Sequence, residues 1–350
     1  MLRRFAITLI TAIACLTGCA ESNKTAAEKL GSTDRIDTPS GMIQYLERQK
    51  LPALKSVEVW ENNYGPGLKV TTAHYEILTT LLEPLMLPQV PGFVESAYQG
   101  YQDQLPNPVE TTAKSTVYLF AKRQQWEDFT KTFAGPQTPL CKPGVRAYYL
   151  NGVCVAYNSG REQTFANLGH EGWHQFTSRH FRFRLPTWLD EGIAMLFETG
   201  RYDQGLFYFE LAKNMQRLGS LKMAMMKDRM IPLRKLVALN PAEMFAVNDD
   251  EAVGAFYGQS YALVRFLREA DYGKRLGNYH QMLLDGLRGR WELSEVDKRI
   301  AADRNIPLTI VWNRNVGPEI FKQYIGEDFE RIEQAYIKFC RKIVYSVRFK

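Results

Sequence analysis

Hydrophobic and polar residues follow different spacings in the two halves of the chain. Up to about residue 160, apolar and polar residues alternate in stretches such as LKVTTAHYEIL and KSTVYLF, which is the period of a half-buried β-strand. The stretch RQQWEDFTKTF lies between such segments and has helical spacing instead. The N-terminal half is therefore predicted to be a small α+β unit built around a mixed sheet.

From about residue 161 onward, apolar residues recur every three or four positions, and strand patterns disappear. This helical spacing is found in EQTFANLGHEGWHQF, TWLDEGIAMLFETG, FYFELAKNMQRLGSLKMAMMK, SYALVRFLREA and FKQYIGEDFERIEQAYIKFCRKIV. We expect an α+β protein whose sheet lies in the first half and whose second half is mainly helical.

The composition is that of a globular protein. Of 350 residues, 45% are hydrophobic and 23% are charged, so disorder is not expected for most of the chain. The net charge of +6 is spread widely and accompanies no nucleic-acid-binding motif, so no nucleic-acid partner is expected. The densest basic run, RHFRFR at residues 179–184, is predicted to be a solvated loop, with contact to anionic lipid headgroups as the alternative.

The chain is predicted to begin with an export signal. Its first residues, MLRRFAITLITAIACLTG, combine a basic start with an apolar run too short to span a membrane convincingly. Leu16-Thr17-Gly18-Cys19 resembles the bacterial lipobox, which implies a mature protein that begins at Cys19 and is held on a membrane by acyl chains. A plain secretory signal is the alternative. Ala20 after the cysteine implies the periplasmic face of the outer membrane.

Four segments follow from these patterns. We expect a signal peptide at 1–18, a polar flexible tether at 19–41, an α+β subdomain at 42–160 and a helical subdomain at 161–350. Asn151-Gly152 predicts a two-residue hairpin turn at the end of the α+β part. In an exported protein, a disulfide between Cys141 and Cys154 would close this hairpin and leave Cys340 free, but three pairings remain open.

The stretch HEGWH predicts a metal site. His170 and His174 lie one helical turn apart, so their rings share one face at the spacing that two adjacent ligands of a tetrahedral ion require. Glu171 is rotated by about 100° and can reach an activated water without binding the metal. The sequence therefore predicts zinc bound by both histidines, with Glu171 as the general base.

Two residues compete for the third ligand position. His180 stands where H-E-x-x-H-x-x-G-x-x-H places its last histidine, but Thr177 replaces the glycine at which that helix must end. His180 is therefore predicted to be a loop residue. The competing candidate, Glu191, lies in TWLDEGIA, where Thr187 and Asp190 form a capping-box pattern for a new helix. Asp190 is assigned this capping role, with support of a ligand histidine as the alternative.

HEGWH followed by WLDEGIA resembles the gluzincins, the thermolysin-like zinc metallopeptidases. The resemblance implies a zincin-like helical half in which Glu191 is the third zinc ligand. The stretch YGQSYALVRFL at residues 257–267 is similar to a helix of the aminopeptidase branch. That similarity implies that the hydroxyl of Tyr257 stabilises the oxyanion, with Tyr261 as a substitute; ordinary helix packing of both tyrosines is the alternative.

The chain departs from the gluzincin pattern at two places. GVCVAYN has no carboxylate to bind a substrate amine, so exopeptidase activity is not supported. Met195 stands where an acidic residue orients a zinc histidine, so Glu198 is the candidate for that support. The edge strand from Val153 to Asn158 is expected to pair with an extended peptide.

These patterns predict a membrane-anchored zinc metallopeptidase that acts on a peptide or protein substrate. The alternative is a non-catalytic zincin-fold lipoprotein that acts in binding or envelope assembly. The sequence leaves open the natural substrate and the oligomeric state.

Overall fold

The computed structural model of the protein describes residues 36–111, 113–240, 242–245, 249–306, 308–345 and 347. The predicted signal peptide, Cys19 and most of the predicted tether lie outside the described residues. The first described helix, α1 (Pro39–Arg48), begins slightly before Met42, where folded structure was expected to start.

A six-stranded mixed sheet forms the centre of the N-terminal half. Its strands are β1 (Ser56–Val59), β2 (Leu68–Thr71), β3 (Tyr75–Thr79), β4 (Ser115–Phe120), β5 (Ala147–Leu150) and β6 (Val153–Tyr157). Their order is β1-β2-β3-β4-β6-β5, in which the pairs β3-β4 and β4-β6 are parallel and the other pairs antiparallel.

The predicted hairpin at Asn151-Gly152 is confirmed. It joins β5 to β6, and both turn residues have positive φ angles, 50° and 88°, as the favoured two-residue turn requires. The prediction that Val153–Asn158 forms the edge strand is wrong, because β6 lies between β4 and β5. Strand β5 is the edge instead, with no further strand paired to its outer side among the described residues.

Helices cover both faces of the sheet. They are α2 (Val90–Gln102), α3 (Arg123–Ala134) and α4 (Arg161–His180). The face that carries Ile77 and Leu119 packs into the main core, whereas Tyr148 and Val155 pack into a smaller core beneath α3. Helix α2 begins at Val90, just before Pro91, because proline is tolerated in a first helical turn.

The cysteine pairing expected between Cys141 and Cys154 is not formed, and Cys141, Cys154 and Cys340 are all free thiols. Cys154 belongs to the main core, on the face of β6 that α4 covers. The Sγ atom of Cys141 instead lies 3.9 Å from the carbonyl oxygen of Glu127, which is in α3. The two thiols are therefore apart because Cys154 packs into the main core, whereas Cys141 lies beside α3.

The C-terminal half is mainly helical, and the α+β prediction is confirmed. Its helices are α5 (Thr187–Ala194), α6 (Met215–Met226), α7 (Leu233–Ala238), α8 (Ala242–Phe245), α9 (Asp250–Glu269), α10 (Leu276–Arg288), α11 (Glu295–Ala302), α12 (Ile310–Tyr324) and α13 (Phe329–Val344). Helix α9 is buried on every side from Ala255 to Leu267, so the other helices pack around it. Among the described residues, none of the helices combines the length and apolar character needed to cross a membrane.

The expectation that strands are absent after residue 161 is wrong. Strands β7 (Gly200–Asp203) and β8 (Leu206–Phe209) form a hairpin whose turn residues, Gln204 and Gly205, have φ angles of 48° and 88°. The hairpin tip lies against α2, where a Cβ atom on Gly92 would be only 1.9 Å from the carbonyl oxygen of Gly205.

Candidate metal centre

Two glycines in α4 allow the HEGWH segment to be tightly enclosed. A Cβ atom on Gly169 would lie 2.2 Å from the carbonyl oxygen of Phe197, and one on Gly172 would lie 2.4 Å from the hydroxyl of Tyr101. That hydroxyl donates to the carbonyl of Gly169 at 2.7 Å. These close approaches fix the helix that carries both candidate histidine ligands.

Helix α5 brings Glu191 to the two histidines. Its Oε2 atom lies 3.2 Å from Nε2 of His170, and its Oε1 atom lies 3.8 Å from Nε2 of His174. Tetrahedral zinc with bonds of about 2.1 Å separates its ligand atoms by roughly 3.4 Å, which matches these distances. The predicted set of His170, His174 and Glu191 can therefore hold a metal ion.

The position of α5 depends on contacts with distant helices. A Cβ atom on Gly192 would lie 2.7 Å from the carbonyl oxygen of Ser260 in α9, so glycine after Glu191 permits this close packing. At the start of α5, the backbone N–H and the hydroxyl of Thr187 donate to Oδ1 of Asn313, at 2.9 and 3.1 Å. The amide nitrogen of Asn313, in α12, donates to the carbonyls of Ala238 and Leu239.

His180 lies apart from this centre, and its prediction as a loop residue is wrong. It is the last residue of α4, because Thr177 continues the helix and its carbonyl accepts from Phe181. Six residues beyond His174, its side chain is rotated by roughly 120° around the helix and packs on Phe176, with ring centroids 4.6 Å apart. Burial, and then the charge of Arg179, lower the pKa of His180 to about 4.

Each ligand histidine is oriented by a carboxylate. Nδ1 of His170 lies 2.9 Å from Glu198, and Nδ1 of His174 lies 3.1 Å from Asp190. Because ionised carboxylates only accept, both Nδ1 atoms carry hydrogen, which leaves both Nε2 atoms, on the side of Glu191, to take up either a metal ion or a second proton. These Nε2 atoms and Oε2 of Glu191 are buried without hydrogen-bond partners, as expected of groups that bind a cation.

The capping role assigned to Asp190 is wrong, and the alternative is what the structure shows. The side chain of Asp190 makes no cap at the start of α5. Its Oδ1 atom accepts from the indole of Trp173 at 2.9 Å, while Oδ2 faces His174. Asp190, three residues after Thr187, satisfies the capping pattern in sequence, but it also faces α4. Its side chain therefore contacts His174 instead of capping α5.

Glu198 orients His170, the role for which it was the candidate because Met195 cannot fill it. Its carboxylate accepts from Arg217 at 2.6 and 2.8 Å and from Asn214 at 2.6 Å. Burial alone would raise the pKa of Glu198, but Arg217 and His170 lower it to about 2. Arg217 and Asn214 were not among the predicted site residues. Their contacts with Glu198 depend on the packing of α6 against α9, which no local motif reveals.

Charge at the centre favours a bound cation. Burial lowers the pKa of both histidines, but their carboxylate partners outweigh it, and the pKa of His170 rises to about 10 and that of His174 to about 9. Protons thus supply the positive charge that the buried carboxylates need when no other cation is bound.

Glu171 lies beside this centre without being part of the ligand cluster. Burial raises the pKa of its carboxyl group, although the charges of His170 and His174 and the backbone N–H of Tyr149 act against the rise. Glu171 lines a cavity of about 450 Å³ together with His174, Asp190 and Glu191. The cavity also reaches the edge strand at Tyr149 and the hairpin turn at Asn151-Gly152.

Neither tyrosine considered for the oxyanion lines this cavity. Tyr257 is 2% exposed and lies in the core, where the guanidinium of Arg217 is 5.3 Å from the centre of its ring. The hydroxyl of Tyr261 donates to the carbonyl of Leu211 at 2.8 Å. The tyrosine that lines the cavity is Tyr149. It was not predicted as a site residue, because it lies in β5, far in sequence from the helical motifs.

No protein-family model and no curated protein matches this chain.

Proposed function

We propose that the protein is a zinc-dependent peptidase with zinc held by His170, His174 and Glu191. The observation that carries this proposal is Glu171, a buried carboxyl group that lines the same cavity as His174 and Glu191 and is not part of the ligand cluster. Two histidines and one glutamate are a ligand set of catalytic zinc sites, which leave a coordination position open. The resemblance to gluzincins supports the same interpretation.

Glu171 supplies the acid–base chemistry. Zinc bound at this position would supply a Lewis acid that lowers the pKa of water and polarises a carbonyl group. Glu171 accepts a proton from water as the water oxygen bonds to the carbonyl carbon, and returns that proton to the nitrogen, so the scissile C–N bond breaks to give a carboxyl group and a neutral amine rather than an amide anion.

The edge strand β5 supplies a place for the substrate backbone. An extended peptide that pairs with the outer side of β5 runs past Tyr149 and enters the cavity next to Glu171. Main-chain pairing of this kind orients a peptide without selecting its side chains. We further propose that acyl chains on Cys19 anchor the enzyme to the outer membrane and so confine it near its substrates.

Substitution of Glu171 by glutamine tests the chemistry. Glutamine keeps the shape but cannot take a proton, so hydrolysis of a fluorogenic peptide mixture should fall by about 10²–10⁴-fold. The zinc content, measured by mass spectrometry, should stay near that of the wild type. Undiminished hydrolysis by Glu171→Gln would refute the mechanism.

Metal analysis of two further variants tests the ligand set. After identical mild chelation, the wild type and His180→Ala should each retain zinc, whereas Glu191→Ala should lose it. Iron in place of zinc in the wild type would contradict the assigned metal. A wild type that never holds metal would favour the non-catalytic binding protein instead.

A further inference from the structure

Two arginines form a wall of the cavity opposite the sheet. Arg184 lies in the loop between α4 and α5, and Arg304 lies after α11. Nη2 of Arg184 donates to the carbonyls of Ile300, Asp303 and Ile306. Arg304 donates to the carbonyls of Ala301 and Phe181, at 2.9 and 2.7 Å. Main-chain contacts therefore hold both guanidinium groups at fixed positions.

Among the residues that the structure describes, no salt bridge joins either guanidinium group to a carboxylate, although the charge of Asp303 acts to raise the pKa of Arg184 and that of Asp190 acts to raise the pKa of Arg304. The hydrogen bonds described for both guanidinium groups end on neutral carbonyl oxygens, and Nε of Arg184 is buried without a hydrogen-bond partner. Burial, followed by the charge of Arg304, lowers the pKa of Arg184 to about 10, and burial also lowers the pKa of Arg304. Two partly buried like charges of this kind are costly unless an anion joins them.

The charge balance of the cavity also favours an anion. Arg179 also lines the cavity, so the positive charges of three arginines equal in number the negative charges of the Glu171, Asp190 and Glu191 carboxylates. A divalent cation at the metal centre then leaves the cavity positive. A narrow cavity with low-dielectric walls concentrates such a field and attracts ligands of opposite charge.

We propose that Arg184 and Arg304 form a carboxylate-binding subsite, so that the substrate is a peptide with a carboxylate next to the cleaved bond. The carboxylate is either the C-terminal group or the side chain of an aspartate or glutamate. Guanidinium groups suit this ligand because their planar N–H donors match the two carboxylate oxygens. The substrate class rests on the proposed peptidase function, whereas the anion site itself does not.

Binding to the Glu171→Gln variant tests the subsite without cleavage. Four short fluorescent peptides of otherwise equal sequence would be compared by fluorescence polarisation: a C-terminal acid, the corresponding amide, and amides that contain glutamate or glutamine. We expect one acidic peptide to bind roughly 10-fold or more tightly than its neutral counterpart. The acid–amide pair and the glutamate–glutamine pair show which carboxylate is recognised.

Arg304→Gln in the same background should abolish the preference, and Arg304→Lys should keep part of it. Arg201→Gln is the matched control, because Arg201 is not among the residues that line the cavity and pairs with Asp203 at 3.0 Å. Equal binding of acidic and neutral peptides before any change to Arg304 would overturn the proposal, as would a preference that survives Arg304→Gln. A carboxylate preference in a protein that hydrolyses no peptide would instead refute only the proposed function.

Discussion

At the residue scale, Asp190 sets the hydrogen position on a ligand histidine. Its Oδ2 atom faces Nδ1 of His174, which keeps the lone pair of Nε2 toward the metal position, and its Oδ1 atom accepts from Trp173. Glu198 does the same for His170 but also neutralises the buried Arg217. Asp190 can therefore be altered without leaving a buried charge unpaired.

We predict that Asp190→Asn weakens zinc binding by about 10- to 100-fold. An asparagine oxygen can still accept from Trp173, but its amide then faces His174 and favours hydrogen on Nε2, where it blocks the metal. The zinc dissociation constant, measured by competition with a chromogenic chelator, should rise. Asp203→Asn removes an exposed carboxylate far from the centre and should change nothing. Equal affinities of both variants would contradict the orienting role.

The residues of the metal centre differ in how readily the sequence reveals them. His170, Glu171 and His174 were found because a single helix fixes their relation, and Glu191 because its neighbours match a known motif. Arg217 was not found, since its place beneath the centre depends on how separate helices pack. Tyr257 had the right residue type, but α9 is buried on all sides, and this burial takes its ring away from the cavity.

At the element scale, the contact between α4 and the turn before Glu198 joins the two sides of the centre. The backbone of Phe197 approaches α4 closely enough that only glycine fits at Gly169. Local patterns predicted α3, α4, α5 and the hairpin β5-β6. They failed at β8, because four consecutive apolar residues, Leu206–Phe209, are compatible with either a buried strand or a helix.

Gly169→Ala should separate α4 from the turn that carries Glu198. We expect a loss of about 1–3 kcal/mol in the free energy of unfolding and weaker zinc binding, because the added methyl group meets the carbonyl of Phe197. Gly219→Ala is the control, since no atom lies within 4 Å of its added Cβ, and alanine should stabilise α6 by about 0.5–1 kcal/mol. Urea unfolding of the chelated proteins measures the change in the free energy of unfolding for both variants. Equal changes in the two variants would show that the close contact is unimportant.

At the scale of the whole molecule, the metal centre joins both halves of the protein. Helix α4 packs on the sheet, α5 packs on α9, and one core of buried residues runs from β2 to α13. A core of this size does not need a metal to fold. Bound metal should nevertheless add to the stability of the whole molecule, because it links elements that unfold together.

Chelation should therefore lower the unfolding temperature without unfolding the protein at room temperature. At a free zinc concentration 1000 times the dissociation constant, one site contributes about 4 kcal/mol. Calorimetry with and without chelator measures the shift. Glu191→Ala should unfold at the same temperature in both conditions, and an equal shift in this variant would place the stabilising metal elsewhere.

The bond between Asn313 and the start of α5 has a consequence for the timing of activity during synthesis. A growing chain that ends before Asn313 lacks the side chain that fixes Thr187 and, through the helix, Glu191. The sheet, α4 and both histidines are then already made, but the third ligand is not yet held in place. The proposed peptidase activity would therefore arise only when nearly all of the chain has emerged, and an unfinished copy would leave neighbouring proteins uncleaved.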